Sequence, residues 1–150
     1  MAVSRTIDQR FAAELARSLR DEIGARTLYG RLAASGRDEE QCRILQTLAE
    51  QGRALEHDVR GVMSSLESEG RVKSPARWLS ARLLDLCARI GLRGFVLRLA
   101  VESEEVLARR YAGFAHWLAR TGHVREAKIC GELATTKASR ALALRAWVPR

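Results

Sequence analysis

The sequence predicts an all-α protein, an antiparallel four-helix bundle, on three observations. Only two prolines, Pro75 and Pro149, interrupt a chain dominated by Ala, Leu, Arg and Glu, residues that lose little conformational freedom in a helix. Apolar residues recur at steps of three and four over four long segments, the spacing that places them on one helical face. With 150 residues and 47% hydrophobic content, the chain can bury one sizeable core but is short for two. Residues 1–150 are therefore read as a single domain.

The first helix is predicted from about Thr6 to Ala34, with Phe11, Leu15, Leu19, Glu22, Arg26, Tyr29 and Ala33 on one stripe. Ser35-Gly36-Arg37 ends it. Asp38 can cap a second helix, with Glu39 and Glu40 in the favourable first turn; its stripe runs Leu45, Leu48, Gly52, Leu55, Val59, Met63, Leu66. These two form a first hairpin over about 6–68. A shorter amphipathic segment, about 76–90, gathers Trp78, Leu79, Leu83, Leu86 and Ile90 on one side, with Arg77, Arg82 and Arg89 elsewhere, before a joint at Gly91 and Gly94. A second hairpin, about 95–147, carries Leu97, Ala100, Glu104, Leu107, Tyr111, Phe114 and Leu118, then Thr121-Gly122, then a last helix from Val124 to about Trp147. The long connection between the hairpins favours a ferritin-like crossover with an additional amphipathic helix between them.

The net charge of +8 admits nucleic acid or an anionic membrane as partner. The arginines are spread through every helix among Glu and Asp, however, as on an ordinary solvated surface. The few, scattered aromatics do not make a base-stacking platform, so nucleic acid is not favoured. Cys42, Cys87 and Cys130 are odd in number and widely spaced, which excludes a disulfide framework or a CxxC motif and suits a reducing compartment. No apolar run approaches the roughly 18 residues of a membrane span, and the N-terminus lacks the order of a secretory signal. A cytoplasmic protein, or one peripheral on the inner face of a membrane, is expected; organellar import is not favoured. No phosphate-binding glycine loop or Ser/His/Asp set is present.

Glu22 and Glu104 carry the most information. Each lies inside an apolar stripe, and a buried carboxylate is costly unless paired, protonated or metal-bound. Each precedes a tyrosine by seven residues, Tyr29 and Tyr111, as two hairpins related by a pseudo-twofold would generate. The plain structural reading pairs the glutamates with an inward arginine, and Arg26 lies at i, i+4 from Glu22. The tyrosines can hydrogen-bond across the core, with packing their expected role.

The stretch Glu22-Ile23-Gly24-Ala25-Arg26-Thr27-Leu28-Tyr29 resembles the opening motif of the demethoxyubiquinone hydroxylases, ferritin-like di-iron monooxygenases of ubiquinone biosynthesis. Leu99-Ala100-Val101 through Glu104-Glu105 to Tyr111 is similar to the second half of that family. The resemblance runs loosely over residues 15 to 145. It implies one glutamate from each of two helices and a Glu-x-x-His pair from each of the other two, and an amphipathic segment on a membrane where Trp78 to Ile90 falls. The departures are substantial. The second-helix pair falls on Gly52 and Leu55, two lost ligand positions. Glu50, Glu56 and His57 are nearby but expected to face solvent. The last-helix pair lands on Glu132 and Thr135, or on Leu133 and Thr136, without a histidine. His57, His116 and His123 all lie outside such a motif, and Arg109-Arg110 replaces a His-His pair.

Three functional readings follow. The first is a non-catalytic relative, a pseudoenzyme without cofactor that binds quinone or lipid, or acts as a scaffold. Trp78, Leu79, Leu83, Leu86 and Arg82 would be its surface for a membrane or a protein partner. The second is a di-iron or single-metal oxidoreductase with an altered site on Glu22, Glu104 and Glu132, using iron and drawing His57 inward. The third is a basic helical subunit of a larger protein or nucleoprotein assembly.

Overall fold

The computed structural model describes residues 2–66, 83, 84 and 86–150. They form α1 (Ala2–Ser35), α2 (Glu39–Ser65), a π-helical turn (Ala88–Leu92), α3 (Arg93–Arg120) and α4 (Val124–Arg145), with no strand among the described residues. The Asp38 carboxylate accepts from the Gln41 amide at 2.8 Å, so α2 starts where the capping pattern predicts. Gly122, at φ 87°, closes the α3–α4 turn in the left-handed region that favours glycine.

α1 and α2 are antiparallel, since Arg26 meets Glu56 and Gly30 lies beside Ala49. Contacts from Tyr29 to Glu104 and from Tyr111 to Glu22 run in opposite directions along α1 and α3, so these helices are antiparallel too. α2 and α3 therefore point the same way, and Ser65 and Arg93 lie at opposite ends of the bundle. Arg93 ties one end together: its Nη2 donates to the Leu32 carbonyl at 2.8 Å and its Nε to Gln41 Oε1 at 2.7 Å. The last turn of α1 gains a cation at the negative end of its dipole.

Two apolar clusters fill the interior. One joins Leu15, Leu19, Leu55, Val59, Leu107, Phe114, Leu118 and Leu133, and the other Leu28, Leu32, Leu45, Leu48, Val96, Leu97, Ala141 and Leu144. The stripes read from α1, α2 and α3 supply most of these residues. Gly94 belongs to α3 rather than to the joint, and Pro149 packs where its side chain would be. Only Gly91, at φ 95°, makes the break.

Of the predicted amphipathic segment, Trp78, Leu79 and Arg82 lie outside the described residues. Leu83 and Leu86 are helical and 62% and 55% exposed. No helix among the described residues is long and apolar enough to cross a membrane.

Candidate functional site

A polar layer lies inside the bundle. Glu22 comes from α1, Glu104 from α3, and Lys137 and Arg140 from α4; all four are buried. The Lys137 ammonium bridges the carboxylates, 2.6 Å from Glu22 Oε2 and 3.0 Å from Glu104 Oε2. The remaining carboxylate oxygens take the phenols crosswise: Tyr111 donates to Glu22 Oε1 at 2.9 Å, and Tyr29 to Glu104 Oε1 at 2.5 Å. Arg140 Nε sits 3.6 Å from Glu104 Oε1. Its Nη2 donates to the Leu48 carbonyl at 3.0 Å, and its guanidinium lies 5.4 Å from the centre of the Tyr29 ring.

Two anions face two cations, so the layer is neutral when all four are charged. That balance is what makes a buried ionic group tolerable, because each charge taken from water costs several kcal/mol. Burial still pushes the Glu22 carboxyl above its usual range, with Lys137 and the Tyr111 hydrogen bond opposing and Glu104 reinforcing the rise. Burial and the adjacent carboxylates push both phenols well above the ordinary tyrosine range.

Several sequence expectations are corrected by this geometry. Arg26 does not neutralise Glu22; it pairs with Glu56 across the α1–α2 interface. Glu56 is accordingly partly buried rather than turned to solvent, because it lies about 100° from Leu55, on the flank of the apolar stripe. Glu50 and His57 are exposed as expected. Tyr29 and Tyr111 are hydrogen-bonded partners, beyond packing. Glu132 is exposed on α4 and does not join Glu22 and Glu104; Leu133 is the buried residue of that turn. Arg110 sits beside the layer on Asp21 at 2.9 Å, while Arg109 is exposed.

Lys137 and Arg140 are the site residues that the sequence reading missed. A signal was present: Cys130, Leu133, Lys137, Ala141 and Leu144 recur at steps of three and four, and all are buried. A cation inside that stripe is the counterpart of the glutamates in the stripes of α1 and α3.

Gly52 and Leu55 have distinct packing roles. A Cβ at Gly52 would lie 3.0 Å from Arg26 Cβ and 3.1 Å from its Cγ, so the glycine makes room for the arginine stem. Leu55 belongs to the apolar cluster with Leu15 and Leu19. Gly52→Ala sets overpacking of about 1–3 kcal/mol against the roughly 1 kcal/mol that alanine gains over glycine inside a helix, so a net loss of about 1 kcal/mol is expected, measured by urea denaturation. A neutral or stabilising result would show that the Arg26 stem gives way freely.

Comparison with protein families, curated proteins and solved structures returned no match for this chain. The chemistry of the site therefore rests on its own residues. Those residues do not fit a pair of irons. An ammonium already lies within ion-pair distance of both carboxylates, and Gly52 and Leu55 offer no donor atom. Among the described residues no group of three or more His, Cys, Asp and Glu side chains is placed to hold a metal. Transition-metal sites of this kind depend on nitrogen ligands, and the exposed His57 is not one. As arranged, the layer can neutralise, hydrogen-bond and lock helix register; its ammonium is fully buried.

Proposed function

We propose that this chain is a non-catalytic, ferritin-like relative of the demethoxyubiquinone hydroxylases that works as a scaffolding or binding protein. The observation that carries the reading is Lys137, whose ammonium links Glu22 and Glu104. An internal cation within ion-pair distance of both carboxylates balances their charge and occupies the place between them that a metal would need, which supports a bundle without a redox centre. The shared direction of α2 and α3 supports the ferritin-like arrangement, with an amphipathic connection between the hairpins. Activity then belongs to the surface. Exposed Leu83 and Leu86, within a segment carrying several arginines, favour a peripheral membrane contact.

Elemental analysis of protein expressed in iron-replete medium tests the reading, combined with an assay for demethoxyquinol oxidation. Substoichiometric iron and no turnover are expected. About two irons per chain with turnover would refute it and restore the altered-site oxidoreductase. For the surface, Leu83→Asp with Leu86→Asp is expected to abolish co-flotation with anionic liposomes while leaving the helical circular dichroism unchanged. Flotation equal to that of the unmodified chain would remove the membrane role.

A further inference from the structure

On the outer side of the α3–α4 hairpin, a groove of about 440 Å³ runs between the two helices. Ala108 of α3 and Ala138, Ala141 and Leu142 of α4 form its apolar lining, and Glu105 and Arg109 of α3 complete it. Leu142 stands 67% exposed beside the groove it helps to line, so one face carries both an apolar hollow and an apolar knob. Arg109 is exposed. Glu105 meets Arg145 through Oε1, which leaves Oε2 for a second cation. Gly113 lies four residues after Arg109 and Gly131 seven before Ala138, so both continue this face toward the α3–α4 turn. A side chain at either glycine would meet no neighbouring group within 4 Å. Glycine is the poorest helix former after proline, and packing among the described residues does not call for it at either position.

We propose that two copies of the chain associate through this face, antiparallel about a twofold axis. A twofold contact uses one patch on both partners, so the patch must complement itself. With the axis in the plane of contact, crossing the helices at right angles midway between Glu105 and Arg109, α3 lies antiparallel on α3 of the second copy. Glu105 then faces the partner's Arg109, and the symmetry makes the pair twice. α3 and α4 are themselves antiparallel, so Leu142 sits toward the Glu105 end of the groove and Ala138 toward the Arg109 end. The same axis therefore sets each Leu142 over the partner's Ala138, knob against hollow. Charge complementarity of this kind fixes the register and orientation of a contact. The area is sufficient as well. α4, the shorter helix, has 22 residues, about 33 Å at roughly 1.5 Å per residue. Two helices of about 10 Å diameter side by side present about 660 Å² to a partner, within the roughly 600–1,000 Å² per side of stable complexes.

The test is analytical ultracentrifugation of the full chain over a concentration series. A dimer is expected, and a monomer throughout overturns the proposal. Leu142→Asp and Arg109→Glu should each raise the dimer dissociation constant about tenfold or more, as loss of a central contact does. Both positions are exposed, so the helical circular dichroism should not change. Adding Glu105→Arg to Arg109→Glu exchanges the two charges and should return most of the affinity, since opposite charges again face each other across the axis. Arg145 is 56% exposed and can swing into solvent in that variant. Arg60→Glu, exposed on α2, makes the same change of net charge elsewhere and should leave the dimer intact. A dimer indifferent to Leu142→Asp and Arg109→Glu, or weakened equally by Arg60→Glu, does not form through this face and overturns the proposal. An exchanged pair no tighter than Arg109→Glu alone overturns the antiparallel register.

Discussion

Lys137→Met lowers the free energy of unfolding by about 3–5 kcal/mol near neutral pH, the cost of leaving buried carboxylates without their partner. Methionine keeps much of the side-chain volume, so the loss reports charge rather than a cavity. Glu22 and Glu104 then face each other with Arg140 as the remaining cation, 3.6 Å from Glu104, and Glu22 bears most of the deficit. The pH dependence identifies the cause. Burial already holds the Glu22 carboxyl above its usual range against the opposing Lys137 charge, so without the ammonium its folded-state pKa rises further above the unfolded value. Stability of the variant is therefore greatest in acid, below the unfolded carboxyl pKa, and falls as the pH rises through the folded one. Adding Glu22→Gln to Lys137→Met should recover most of the loss, because the neutral amide needs no counter-charge and Glu104 keeps the Arg140 guanidinium, 3.6 Å away, as its cation. Denaturant unfolding of the single and double variants at acid and neutral pH measures both effects. A single-variant loss below about 1 kcal/mol, smaller than any expected for breaking a buried pair, would refute the account of the core as an obligate ionic layer.

The unmodified chain should lose stability steeply in alkali. Burial, together with the Glu104 and Glu22 carboxylates, pushes the Tyr29 and Tyr111 phenols well above their ordinary value of 10. Burial also pushes the Cys130 thiol from 9 up to about 12. In this range the folded state holds protons that the unfolded chain releases, so stability declines with rising pH. Each such group contributes a slope of about 1.4 kcal/mol per pH unit once the unfolded form ionises. The thiol acts from about pH 9, and the two phenols add about 2.7 kcal/mol per pH unit above about pH 10. Urea denaturation across this range gives the slope directly. Tyr29→Phe with Tyr111→Phe should leave only the thiol contribution among these three; a slope equal to that of the unmodified chain would show that the phenols ionise freely when folded.

The limits of the sequence reading are clearest at individual residues. Glu22 and Glu104 were legible because a carboxylate inside a stripe of leucines violates the burial pattern around it. Lys137 violates the same pattern, but in a stripe with only two leucines, Leu133 and Leu144, beside the small Cys130 and Ala141, and lysine is readily placed at a helix surface. Arg26 misled for a related reason: i, i+4 spacing permits a pair with Glu22, and it cannot reveal that Gly52 opens a path toward Glu56 on the neighbouring helix. Leu83 and Leu86 are exposed, while Trp78, Leu79 and Arg82 of the same predicted segment lie outside the described residues.

From the sequence alone come the helical class, the approximate spans of the four long helices, the stripes that build the core and the two glutamates that interrupt it. These are local properties, set by propensity, capping and periodicity within one segment. Which partner meets each glutamate was decided only by tertiary structure. Lys137 lies more than one hundred residues along the chain from Glu22, and the contact depends on the rotation and axial offset of α4 against α1 and α3. Helical spacing specifies which residues share a face; the packing of four faces together determines which charges touch.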